Sequence, residues 1–228
     1  MKSPCILLLI ASLAFVATGD SAAETNSATE AAAVYTRMIT QRAEKIVTPL
    51  DLADTNKASR VREIIVQQYR DLAQIHDQRD AQIKLAKEKS GENKNAAAEM
   101  TQAARDESKP RLDKLHREFV ARLSAELLPG QVDQVKDGMT YGVLPLTYGV
   151  FLKMYPDLTD EQKTQIKTWL TEARELAMDG STSDEKHAVF GKYKGKINNY
   201  LSKAGYDAKK AEQDLKKATQ APSDSKPK

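Results

Sequence analysis

Ser90-Gly91-Glu92-Asn93-Lys94-Asn95 contains no apolar residue and separates two long segments of helical periodicity. Before it, Val61, Ile64, Ile65, Tyr69, Leu72, Ile75 and Ile83 fall mostly at three- and four-residue steps. That spacing lines side chains along one face of an α-helix. After it, Met100, Ala103, Ala104, Leu112, Leu115, Phe119, Leu123 and Leu127 repeat the pattern. Two such stripes joined by a short Gly/Asn turn bury themselves by folding back on each other. The sequence therefore predicts a long antiparallel helical hairpin over residues 55–128. The stripe thins after Ile75, where His76, Asp77, Arg79 and Asp80 follow, so the distal half is expected to hold fewer core contacts. Pro110 lies inside the return segment, where it is expected to bend or split the helix.

Working outward, a first helix is expected over about residues 30–46, carrying Val34, Tyr35, Met38, Ile39 and Ile46 and stopped by Pro49. Asp54 or Thr55 caps the first arm of the hairpin. Pro129-Gly130 ends the second arm, and a short helix follows over 131–137. Residues 138–152 are the least charged stretch beyond the N-terminus. They are expected to be buried, with Pro145 opening a helix at its first position. Thr159 and Gln162 form a capping box ahead of Ile166, Trp169, Leu170, Ala173, Leu176 and Ala177. Ser183 is expected to cap the last long helix, whose stripe is Phe190, Tyr193, Ile197, Tyr200 and Leu201, and Gly205 to end it. No segment alternates with a period of two. The fold class is all-α: the hairpin packed on a C-terminal multi-helix lobe (139–205), in one helical domain over 31–205. Residues 206–228 are expected to form a weakly helical to disordered tail.

Apolar residues make up 40% of the 228, charged residues 29% and aromatics 6%; Lys+Arg is 35 against 32 Asp+Glu. Near-balanced charge at this density describes a solvated helical surface rather than the concentrated basic face of a nucleic-acid binder. The N-terminus has the layout of a secretory signal peptide: Lys2, an apolar run over residues 6–16, then small residues up to Ala23. The run is short for a membrane span of about 20 residues. Cleavage near Ala23 is expected, followed by a flexible lead-in (24–30), a periplasmic or secreted location and no stable membrane insertion afterwards. Cys5, the single cysteine, precedes the apolar run. The mature chain then has no thiol for a disulfide, a lipid anchor or nucleophilic catalysis.

One segment stands out as a candidate site. Gly191 and Gly195 lie in the interior of the last long helix, where each costs about 1 kcal/mol relative to alanine. At four-residue spacing His187, Gly191, Gly195 and Asn198/Asn199 share a face. Either the glycines allow a neighbouring helix to approach closely, or they leave a trough for a ligand. In the second case His187, Asn198 and Asn199 frame it, with Lys192, Lys196 and Tyr141 completing the set. His76, His116 and His187 include no pair at the i, i+4 spacing of a helical zinc site. There is no phosphate-cradling loop and no nucleophile elbow. No catalytic residue, metal or cofactor is assigned, and an enzyme is the less favoured reading.

Asp51-Leu52-Ala53-Asp54-Thr55-Asn56-Lys57 and Asp157-Leu158-Thr159-Asp160-Glu161-Gln162-Lys163 are alike. Convergent helix capping accounts for this, with internal duplication as the alternative. The second string also resembles the Leu-Thr-x-x-Gln motif of periplasmic stress chaperones, small helical cradles with long hairpins. A broader likeness rests on Val61-Arg62-Glu63-Ile64-Ile65 with Gln68-Tyr69-Arg70, on Ile75-His76 with Arg79-Asp80, and on Met139-Thr140-Tyr141-Gly142-Val143. Glu172-Ala173-Arg174-Glu175, Ala177-Met178-Asp179 and the run from Lys186 through Asn199 to Gly205-Tyr206-Asp207 extend it. Over nearly all of residues 34–210 the chain resembles the secreted bacterial family known as domain of unknown function 3826. The resemblance implies export and a helical fold, and supplies no activity. The expected function is a non-catalytic envelope binding or chaperone-like protein with a protein client. The alternative is a glycan-binding or glycan-processing accessory with its site on the last long helix.

Overall fold

The structure, a computed structural model, describes residues 20–220, with side chains over 29–217. The apolar run of the expected signal peptide and the last eight residues of the expected tail lie outside the described residues. Every regular element described is helical, so the all-α class holds. In order these are α1 (Asp20–Val47), a 3-10 turn (Thr48–Leu50), α2 (Thr55–Ser90), α3 (Lys94–Glu126), α4 (Pro129–Met139), α5 (Val143–Met154), α6 (Asp160–Met178), α7 (Ser183–Lys203) and α8 (Ala208–Gln220).

The chain forms two compact units, residues 1–39 and 40–228. The described part of the first is the opening stretch of α1, which is helical through the 24–30 segment expected as a lead-in. Its alanine-rich sequence favours that continuation.

The second unit holds the hairpin. Arg60 pairs with Glu126, Arg111 donates to Gln78, Gln82 donates to Glu107, and Ser90 meets Met100. Numbers rise along α2 as they fall along α3, which makes the pair antiparallel. Asp54 starts α2, its carboxylate accepting the backbone N–H groups of Asn56 and Lys57 at 2.8 and 3.2 Å. Asn93 does the same for α3 through Ala96. Val61, Ile65, Val66, Leu72 and Ile75 of α2 are buried, as are Leu115, Phe119 and Leu123 of α3. Beyond Ile75 the buried apolar residues shrink to Ala86 and Ala104, the thinning that the sequence predicts. Pro110 neither splits α3 nor ends it. It sits on the exposed side, where the carbonyl of Asp106 that loses its N–H partner meets water.

The remaining helices depart from expectation in three places. First, α5 opens at Val143, two residues ahead of Pro145, which occupies the first turn, where backbone N–H groups have no intrahelical partner. Second, the cap of α7 is Thr182 rather than Ser183: the Thr182 hydroxyl accepts the backbone N–H of Glu185 at 3.1 Å. Third, within the segment expected to be weakly helical to disordered, residues 208–220 form a regular helix that packs on the lobe. α8 packs on α5, and Tyr206 donates its hydroxyl to the carbonyl of Asp157 at 3.1 Å. Tyr206 and Ala211 lie against a core of Leu144, Phe151, Tyr155, Leu158, Ile166, Leu170, Ala173, Ala177, Phe190, Ile197 and Leu201. The predicted capping box of α6 is present, with Thr159 and Gln162 exchanging backbone-to-side-chain bonds at 3.0 and 3.2 Å.

Candidate functional site

Among the described residues nothing packs on the glycine face of α7. Cβ atoms built on Gly191 and Gly195 would meet nothing within 4 Å. Both glycines, with Lys192, Asn198 and Asn199, lie on exposed helix surface. The close helix–helix approach weighed for these glycines is therefore absent, because α7 turns the opposite face, Phe190, Ile197 and Leu201, to the core. Two of the expected residues do come together. The Tyr141 and His187 rings stack with centroids 5.8 Å apart and planes 17° from parallel. His187 is fixed from its own helix, its Nδ1 lying 2.7 Å from the carbonyl oxygen of Ser183. Tyr141 holds a left-handed conformation at φ 59°, followed by Gly142 at φ 66°. That conformation is unusual for an aromatic residue. Lys196 joins a different group: its ammonium sits 4.4 Å from the Trp169 ring centroid and 5.4 Å from that of Tyr193, near Glu172.

The densest chemistry lies elsewhere, where the hairpin meets the turn after α6. His116 of α3 stands between the carboxylate of Glu175 on α6 and that of Asp179, the residue that ends α6. Its Nδ1 is 3.0 Å from Asp179 Oδ2 and its Nε2 is 3.3 Å from Glu175 Oε2. Both ring nitrogens must then carry protons. The hydrogen bonds to Asp179 and Glu175 outweigh partial burial and raise the imidazole pKa to about 9. For Glu175, burial opposes ionisation, but bonds from His116 and Lys136 prevail and lower its pKa to about 2. Lys136 of α4 reaches Glu175 at 2.8 Å. Arg174, 5% exposed, donates to Asp133 at 2.6 Å, Asp137 at 3.0 Å and Glu175 at 3.0 Å.

Asp179 also accepts through its backbone. His76 of α2, nearly fully buried, places Nε2 2.7 Å from the Asp179 carbonyl oxygen. Three residues along α2, Arg79 reaches Glu185 at 3.2 Å. The buried ammonium of Lys186 donates to the carbonyls of Met139 and Met178 at 3.0 and 3.4 Å, tying the C-terminal ends of α4 and α6 together. Burial lowers its pKa to about 8, with Asp179 partly opposing. A cleft of about 200 Å³ opens beside His116, lined by Asp113, Arg117, Glu175, Leu176 and Asp179.

Chemically this cluster is saturated. A general acid among carboxylates needs a raised pKa, and Glu175 is driven the other way. His116 has both nitrogens engaged, so it offers no lone pair to a metal or a substrate proton. Among the described residues no group of three or more His, Cys, Asp or Glu could hold a metal ion. No helix described is long and apolar enough to cross a membrane.

These residues escaped the sequence reading. Glu175 of α6 and Asp179 just past its end are four residues apart, and Arg174 adjoins the apolar stripe, but nothing local says that His116, 63 positions away from Asp179, arrives between them.

The family described as a protein of unknown function, DUF3826, matches residues 36–221. The chain belongs to that family. No curated protein matches it. The residues that carried the likeness include His76, Arg79, Arg174, Glu175, Asp179 and Lys186, most of the hairpin junction.

Proposed function

We propose that this DUF3826 chain is an exported, non-catalytic binding protein whose partner is another protein. One observation carries the reading. α5, in the least charged stretch of the lobe, buries Leu144, Thr147 and Phe151 on one side and leaves Leu146 68% and Val150 45% exposed on the other, one turn apart. An apolar helix face in a surface otherwise rich in charge is what a protein-binding surface requires. The mutual saturation of the charged cluster supports the non-catalytic part. The export part rests on the signal-peptide layout at the N-terminus. The test is suppression of aggregation of an unfolded model client at a near-stoichiometric ratio. Wild type suppresses it and the Leu146→Asp/Val150→Asp variant does not. An inert wild type removes the reading.

A second reading is glycan binding on the outer side of α6 and α7. It is favoured by the aromatic group there: Trp169 and Tyr200 meet edge to face at 5.2 Å, beside Tyr193 and exposed Asn199. A thermal-shift screen across polysaccharides tests it, with Trp169→Ala as control. Silence across the panel removes this alternative.

A further inference from the structure

We propose that the turn after α6 is a charge-operated latch, in which His116 holds the distal half of the hairpin, residues 76–116, on the C-terminal helices and frees it on losing its proton.

Polar bonds alone join the two parts at the turn after α6 among the contacts described. His76–Asp179, His116–Asp179, His116–Glu175 and Arg79–Glu185 are all polar bonds, and all converge on the short segment from the end of α6 to the start of α7. On the hairpin side the grip lies where the apolar core thins, just past Ile75 on α2 and opposite it on α3. Apolar packing therefore gives way to charge at the place where the long arms leave the lobe. The proximal half keeps Phe119, Leu123 and Ile65 fully buried, and it continues directly into α4, which packs on both α3 and α6. It stays in place when the latch opens.

Every ionisable group around His116 sharpens its role. Asp179, at its Nδ1 side, makes its described ion pair with His116. Glu175, at its Nε2 side, is separately compensated by Lys136 and Arg174. Asp113 and Arg117, on the same helix as His116, line the cleft, and Asp113 is paired with Lys109. From α2 come His76 and Arg79, and from α7 Glu185 and Lys186. When the imidazole loses a proton, one nitrogen becomes a lone pair. If Nδ1 keeps its proton, the lone pair on Nε2 faces the Glu175 carboxylate at 3.3 Å, and acceptor meets acceptor. Asp179 at the same moment loses the cation hydrogen-bonded to its carboxylate. Lys136 and Arg174 hold Glu175 within the lobe, so the carboxylates stay and the hairpin is the part that leaves.

The experiment uses the full chain with Cys5→Ser, Glu92→Cys at the hairpin turn and Lys203→Cys at the end of α7. Labels on the two new thiols report their distance by energy transfer, and circular dichroism reports helix content. The expected result is a broadened, shifted distance between pH 7 and 10, with a midpoint near the His116 pKa of about 9 and unchanged helix content. His116→Arg, which keeps the cation, stays closed at pH 10, and His116→Gln is open at pH 7. A distance that does not change up to pH 10, helix loss in the same step, or identical behaviour of the Arg and Gln variants overturns the proposal. Should His116→Gln fail to fold, the wild-type titration and the Arg variant decide it.

Discussion

Gly191 and Gly195 sit in the interior of α7 with open space beside them. Each weakens a helix interior, and neither gives anything in return within this chain, because the space outside them is open. Gly191→Ala and Gly195→Ala are each expected to stabilise the fold by about 1 kcal/mol. Urea denaturation checks this, and a loss of stability would show that something packs there. Arg174 is the opposite case. Asp133, Asp137 and Glu175 all lean on a guanidinium 5% exposed. Arg174→Met strands those carboxylates and is expected to cost about 3 kcal/mol, read by the same denaturation. At this scale the sequence was legible wherever the partner is local. Asp54, Thr159 and Gln162 bond groups two to three residues away, and those bonds are found. His116 was illegible for the converse reason: its carboxylates lie on another helix, brought there only by the fold.

At the scale of the element, helix existence was readable wherever an apolar stripe marks it, less so at the polar ends of the chain, where α1 begins and α8 lies. Helix orientation was not readable. Low charge in residues 138–152 predicts burial, yet α5 exposes Leu146 and Val150. Composition fixes how apolar a helix is. Which of its faces meets a neighbour is decided by α6 and α8, which pack on it. The ends were closer to hand, because caps are local chemistry. Thr159→Ala removes the bond to the Gln162 N–H and is expected to lower stability by about 1 kcal/mol. A thermal melt followed at 222 nm measures it. An unchanged melt would mean that tertiary packing alone holds the start of α6. α7 illustrates the limit: Thr182 and Ser183 are both competent caps, and backbone geometry, with Thr182 extended at ψ 161°, chose the first.

For the molecule as a whole, the hairpin was legible because its turn, its stripes and their thinning are all written along the chain. Its junction with the lobe was not, since that junction is made of charged side chains from separate elements. Its electrostatics give stability a definite pH dependence. The folded pKa of His116, about 9, exceeds the unfolded value near 6.5. Its stabilisation is full below about pH 6.5 and is lost as pH rises through about 9. Lys186 works in the other direction: its folded pKa of about 8 lies below the unfolded 10.5, so burying the ammonium is a penalty that fades between those values. The melting temperature is therefore expected to fall from about pH 6.5 to about 8, to level between 8 and 9 where the two groups oppose each other, and to recover above about 9. His116→Gln should abolish the fall, and Lys186→Met should remove the levelling and the recovery. The most direct test is an NMR titration of the His116 imidazole in the folded chain. Clamped between Glu175 and Asp179, it should titrate with a midpoint near 9. A midpoint near the ordinary 6.5 would mean that the two carboxylates do not hold it, and the charged junction would lose its centre.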